Sequence, residues 1–193
     1  MQSVRATRGV MGRELPLMLD TNCAWLPAEA SDAVRQFREF DLKWIEEPLW
    51  PPEDIPALVR LRTETGIPTA VGENASSVLE LLGLARSGDV DYVQPSAIKS
   101  GGLSTLLAVQ QACMATRTVH SPQSAFFGPG FLATLHVLAA QAEEVAVERL
   151  ICQLGHVPYA QTIPFEGGAF HLSDRPGLGA DPEPALLDGP FAT

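Results

Sequence analysis

Trp44-Ile45-Glu46-Glu47-Pro48 closes an apolar, aromatic-led run with two adjacent acids and a proline, the pattern of a buried strand emerging into a loop. Side chains alternate across a strand, so only one of Glu46 and Glu47 can face a barrel interior. A carboxylate aimed inward needs partners. Asp20, after Leu15-Pro16-Leu17-Met18-Leu19, and Glu73, after Thr69-Ala70-Val71-Gly72, stand at the ends of two neighbouring apolar runs.

Outward from that stretch the chain repeats one unit. Ser3 to Gly12 has the spacing of a short helix, and Leu15 to Leu19 reads as a strand. Pro27 to Phe40 carries Ala30, Val34, Phe37 and Phe40 at helical spacing before the strand that ends at Glu46. Ile55 to Glu64, Ser76 to Ser87, Leu103 to Ala115 and Phe131 to Ala142 are the following helices. Thr69 to Glu73, Val90 to Gln94, Arg117 to His120 and Val145 to Glu148 are the strands that alternate with them. Strand ends therefore recur at 20, 46, 73, 96, 120 and 148, which implies about six parallel strands joined by right-handed crossovers. No glycine-rich phosphate loop follows the first strand, which disfavours an open dinucleotide-binding sheet. Polar residues at successive strand ends favour a TIM-type barrel, whose active sites lie on that face. Residues 1–154 are expected to form an incomplete catalytic barrel. Six of the sixteen prolines fall between Pro158 and Pro190, so 155–193 is expected to be a Pro/Gly-rich wrap belonging to the same domain.

The net charge of −10 repels a phosphate backbone, which sets nucleic acid aside. No signal-type apolar segment opens the chain, and Gly128, Pro129, Gly130 and His136 interrupt its most apolar stretch. A cytoplasmic protein without membrane contact is expected. Cys23, Cys113 and Cys152 lack metal-ligand spacing and are expected to be reduced, small and buried.

Asp20, Glu46 and Glu73 offer three hard oxygen donors from three neighbouring strands, a set suited to octahedral Mg²⁺. Without a cation they would repel and shift one another's pKa. Singly, each is as well explained as a helix cap or loop acid; jointly they favour the metal. Asn22 and Asn74 each lie next to or near a proposed ligand and could orient a carboxylate or touch substrate. Lys99 lies just past the fourth strand, where a cation could neutralise substrate or steady the acids. His120, at the end of the fifth strand, is placed to act as general base. Glu148 ends the last strand and could donate a hydrogen bond if burial raises its pKa. His136 reads as a packed helix residue, while His156 and His171 lie in the tail without evident partners.

These residues resemble the mandelate racemase and muconate-lactonising-enzyme group of the enolase superfamily, particularly its acid-sugar dehydratases. The matching pieces are Asp20 to Trp25, Trp44 to Pro48, Gly72-Glu73-Asn74, Gln94 to Gly102, His120-Ser121-Pro122, Phe127 to Gly130 and Pro176 to Gly179. The resemblance implies an α/β fold, a (β/α)₇β barrel with Mg²⁺ on Asp20, Glu46 and Glu73. It implies abstraction of the proton α to a carboxylate, with the metal stabilising the enediolate, leading to dehydration, racemisation or epimerisation of a sugar-acid-like substrate. His120 would be the base or acid on one face and Glu148 would bind the carboxylate. The capping domain and first two strands of relatives, including a lysine base, have no counterpart before Met1. Ser96 falls where relatives carry the aspartate that pairs with the histidine. The segment before His120 looks a few residues shorter than in relatives, and Ser121 to Phe127 looks longer. Missing strands would expose sheet edges, so self-association or another partner is expected. The alternative is an inactive remnant or interaction module that keeps the fold and the metal site.

Overall fold

The computed structural model describes residues 1–141, 146–152, 159, 165–182 and 184. Five parallel strands form one sheet: β1 (Leu17–Asp20), β2 (Leu42–Glu46), β3 (Thr69–Val71), β4 (Tyr92–Val93) and β5 (Val119–His120). Helices α1 (Gln2–Met11), α2 (Pro27–Arg35), α3 (Ile55–Thr65), α4 (Val78–Ser87), α5 (Leu103–Cys113) and α6 (Pro129–Ala139) alternate with them. The strand order is β1-β2-β3-β4-β5. A doubly wound sheet reverses its order at a switch point; this one never does, so right-handed crossovers place the connecting helices on a single face, as in a barrel wall.

The apolar residues follow that division. Val34, Phe37, Ile45, Leu61, Val71, Leu81, Val93 and Val109 belong to one buried cluster between the sheet and its helices. A smaller cluster of Ala97, Leu106 and Val137, with Phe126 against it, lies towards α6. The opposite face of the sheet carries Trp44, Glu46 and Tyr92; the Trp44 and Tyr92 rings stand 4.6 Å apart. At the start of β2 the register slips, because Leu42 pairs with Leu17 but Trp44 with Met18. Lys43 is the extra residue, and its ammonium sits over the Trp44 and Tyr92 rings rather than on an outer surface.

Several element ends have local causes. Gly66 adopts the left-handed conformation that stops α3. Gly72 has φ +125°, and a Cβ there would lie 3.2 Å from the Gln94 backbone nitrogen, so β3 must leave the sheet through glycine to reach Glu73. At α4, Ser77 Oγ accepts from the Glu80 N–H, while the Glu80 carboxylate accepts from the Ser76 N–H at 2.9 Å. Ser77→Ala should lower stability by about 1 kcal/mol in urea unfolding, with Ser77→Asp near neutral; an unchanged midpoint in the alanine variant would discount the cap.

Some expectations need correction. The helix expected over 27–40 ends at Arg35 and continues as a 3₁₀ turn, Arg38–Phe40. Arg8, unremarked in the sequence, is buried and donates to the carbonyls of Gly12, Leu15, Phe40 and Asp41, so it ties α1 to the turn before β2. Of the expected sixth strand, Val145 lies outside the described residues and 146–148 form no strand. The expected wrap over 155–193 falls largely outside the described residues. Its described part includes a hairpin of β6 (Phe165–Glu166) and β7 (Ala169–Phe170), with Phe170 edge-on to Phe131 at 5.2 Å. Among the described residues no helix is long and apolar enough to cross a membrane. All three cysteines are free; Cys113 is buried as expected, but Cys152 is exposed.

Candidate metal and carboxylate site

Asp20 and Glu46 are register partners on adjacent parallel strands, so their side chains leave the sheet side by side on the same face. Glu46 is buried and accepts from the Trp44 indole N–H at 3.0 Å. Burial pushes its carboxyl up to about 7; the Gln94 amide and the Trp44 indole oppose that shift, and the Asp20 and Glu148 charges add to it. Glu73 is also raised, by burial first and then by the charge of Glu47. Lys99 counters this, and Asp20 and Glu148 again add. Glu148 is raised by loss of hydration and by Asp20, against a Ser124 hydrogen bond that favours its charged form. The acids from β1, β2, the β3 loop and residue 148, with Lys99, therefore act on one another across a single site.

Matching strand-end positions do not survive for all three proposed ligands. The register partner of Glu46 on β3 is Ala70, and Glu73 lies beyond the strand, past Gly72. The chain-length interval from Glu46 to Glu73 counted loop residues as strand.

Glu47 takes the other face. With φ at +40° it leaves β2 and is 2% exposed. Its carboxylate accepts from the Asn74 backbone N–H at 3.3 Å, from the Asn74 side-chain amide, and from the Cys23 thiol at 3.6 Å. A cavity of about 290 Å³ beside it is lined by Val71, Ala75 and Leu84 on the helix side. Burial and the charges of Glu47, Glu73 and Asp20 push the Cys23 thiol up to about 11, which keeps it protonated and donating. Asn74 thus orients an acid, although Glu47 rather than a proposed ligand. Asn22 is exposed at positive φ, and its backbone N–H donates to Asp20 Oδ1 at 2.8 Å.

His120 is placed differently from the sequence expectation. It pairs with Val93, a residue of the helix-side core, so alternation turns its ring away from the acids. It is 4% exposed, and among the described residues neither ring nitrogen has a partner at hydrogen-bonding geometry, although the Gln141 side chain lies close enough to favour its charged form. Burial pushes its pKa down to about 4, with the Gln141 side chain opposing, and among the described residues no carboxylate charge acts on it. The residue level with Ser96 is instead Gln123, its parallel bridge partner. Sequence inspection missed Gln94 and Gln123. The signal in the sequence was that, set against the resemblance, the segment before His120 looks shorter and the one after it longer.

Asp20, Glu46 and Glu73 fit Mg²⁺ by donor type, as hard carboxylate oxygens whose like charges a cation would offset. Among the described residues, however, no three His, Cys, Asp or Glu side chains converge closely enough to hold an ion, so the assignment stands on donor chemistry and shared electrostatics.

A family model described as enolase C-terminal domain-like matches residues 1–186. The chain belongs to this enolase family. A 3,6-anhydro-alpha-L-galactonate cycloisomerase of Streptomyces coelicolor is 30% identical over 179 residues, 91% of this chain and 47% of that protein. The enolase-type fold is matched by the crystal structure of a 3,6-anhydro-D-galactonate cycloisomerase from Zobellia galactanivorans, with a TM-score of 0.85 and 26% identity over 97% of this chain and 53% of that one. The L-talarate dehydratase of Polaromonas sp. JS666, complexed with Mg and L-glucarate, matches with a TM-score of 0.77 and 29% identity over 95% of this chain and 49% of that one. This enolase family member spans about half the length of the relatives it matches.

Proposed function

We propose that this chain takes part in Mg²⁺-dependent abstraction of the proton α to the carboxylate of a sugar-acid-like substrate, leading to dehydration, racemisation or epimerisation. The observation that carries the reading is the Asp20–Glu46 register pair, whose charges extend to Glu73 and Glu148. Asp20, Glu46 and Glu73 would hold Mg²⁺, which when bound offsets the negative charge that develops on the substrate carboxylate as the proton leaves. Lys99, the cation that opposes the Glu73 shift, neutralises the site's excess of acid. Glu148, with its raised carboxyl, can hydrogen-bond the substrate carboxylate in its protonated form. Asn74 and Cys23 hold the Glu47 carboxylate, whose charge still raises Glu73. The names of relatives and of the bound L-glucarate support a hydroxylated acid as substrate.

A second reading is favoured by the register of β4 and β5. His120 faces the helix side and Ser96 meets Gln123, so at that level the inner face carries an uncharged pair. The chain would then bind metal and acid without moving the proton. Deuterium exchange at the α position of sugar acids, in D₂O with saturating Mg²⁺, separates the two. Exchange supports the enzyme and, with His120→Asn, shows whether that imidazole carries it; Mg²⁺-dependent binding without exchange supports the binding-only reading. Absence of Mg²⁺ binding would remove both.

A further inference from the structure

We propose that Gln94, Ser96 and Gln123 form a charge-neutral subsite for the hydroxyl groups of the ligand, beside the acids; this rests on the reading of a carboxylate-binding site. Gln94 and Ser96 have the same strand parity as Tyr92, and Gln123 is the bridge partner of Ser96, so all three belong to the acid-bearing face. Gln94 joins the two halves, because its amide favours the charged form of Glu46. They are 4%, 0% and 9% exposed. Yet among the described residues Gln94 Oε1, Ser96 Oγ and Gln123 Oε1 have no hydrogen-bond partner, and neither has Ser100 Oγ one turn beyond Ser96. Buried polar atoms are almost always paired with protein, ordered water or a ligand. Three orphan oxygens on one face next to a carboxylate cluster therefore mark a place whose partners come from outside the protein.

The chemistry of those partners follows from the atoms. Amide and hydroxyl groups on uncharged side chains both accept from and donate to O–H groups and bring no positive charge to hold a carboxylate, so the subsite suits the hydroxylated carbons better than the acid end. A ligand anchored by its carboxylate near Glu46 would lay its carbon chain along β4 and β5. A site built to hydrogen-bond hydroxyls also discriminates strongly against an analogue without them.

Calorimetry on the full chain tests this with two probes of equal chain length, glucarate and adipate, the second lacking hydroxyls. Mg²⁺ is titrated first, alone. The expected result is at least ~10-fold tighter binding of glucarate than adipate. Gln123→Leu and Ser96→Ala are each expected to shrink that ratio several-fold, with adipate and Mg²⁺ affinities unchanged. A glucarate preference that is absent, or that survives both substitutions, overturns the subsite and assigns the orphan oxygens to internal water. Loss of Mg²⁺ binding by the unsubstituted chain instead overturns the metal reading. In that event the hexitol galactitol, which needs no metal, is titrated against the unsubstituted and Gln123→Leu chains: heat abolished by the substitution supports the subsite, and heat absent or unchanged overturns it.

Discussion

Glu46→Gln should weaken Mg²⁺ binding by at least ~100-fold in calorimetry, since even outer partners of metal ligands are worth about 10- to 100-fold. The adjacent change, Glu47→Gln, should cost no more than about 10-fold. Both acids belong to one loop-proximal pair, but Glu46 shares the face of Asp20, whereas Glu47 is committed to Asn74 and Cys23. Glu46→Gln keeps an acceptor for the Trp44 indole, so lost affinity can be read as lost ligation and not as lost fold. Stability of the metal-free protein provides the control. A carboxyl raised to about 7 contributes stability that is complete below its ordinary value and lost as the pH rises through about 7. The Gln variant has no such loss, and in chelator at about pH 8 it should unfold at a higher temperature than the parent. Equal loss of Mg²⁺ affinity in both variants would mean that the roles of the two acids are not divided by the strand.

The second large effect concerns His120. Its ordinary value of 6.5 falls to about 4 in the folded chain, so the unfolded chain takes up a proton first as the pH drops. Stability is then complete above about pH 6.5 and falls progressively towards pH 4. The linkage amounts to about 2–3 kcal/mol between about pH 7 and pH 4.5. His120→Phe removes the titration, and the raised acids titrate alike in both proteins. Urea unfolding should show the stability difference between parent and variant shifting by that amount, in favour of His120→Phe at low pH. A flat difference would mean an imidazole with an unshifted pKa, against its burial, and one that moves the other way would put it beside the acids, where carboxylate charge raises its pKa. The same measurement therefore decides whether His120 can serve as the base.

The acid half of the site was legible early because its residues are chemically conspicuous and emerge at strand ends. The 26- and 27-residue spacings to Asp20 and Glu73, together with the family resemblance, assign Glu46 inward; Asp20 and Glu46 are register partners, whereas Glu73 lies beyond its strand. Gln94 and Gln123 were not legible. A glutamine in a buried strand gives no signal until its neighbours show that its oxygen is unpaired. Arg8 was missed for a related reason: an arginine on a short terminal helix reads as solvated, and only the fold brings four carbonyls to it.

By itself the sequence determined the alternation of strand and helix, the parallel sheet and the family, since apolar periodicity, glycine stops and local motifs are short-range properties carried by neighbouring residues. What the tertiary structure alone decided is register. A strand's side chains alternate with period two, so a shift of one or three residues in the connection before β5 exchanges its faces. That connection is where the resemblance makes the chain look shorter and the loop after it longer. No local signal in Thr118-Val119-His120-Ser121 records the slip; pairing with Tyr92 and Val93 does. Trp44 to Pro48 kept its reading because the Asp20–Glu46 pair leaves it no freedom to slide, whereas two-residue β5 took its register from the sheet and turned His120 away.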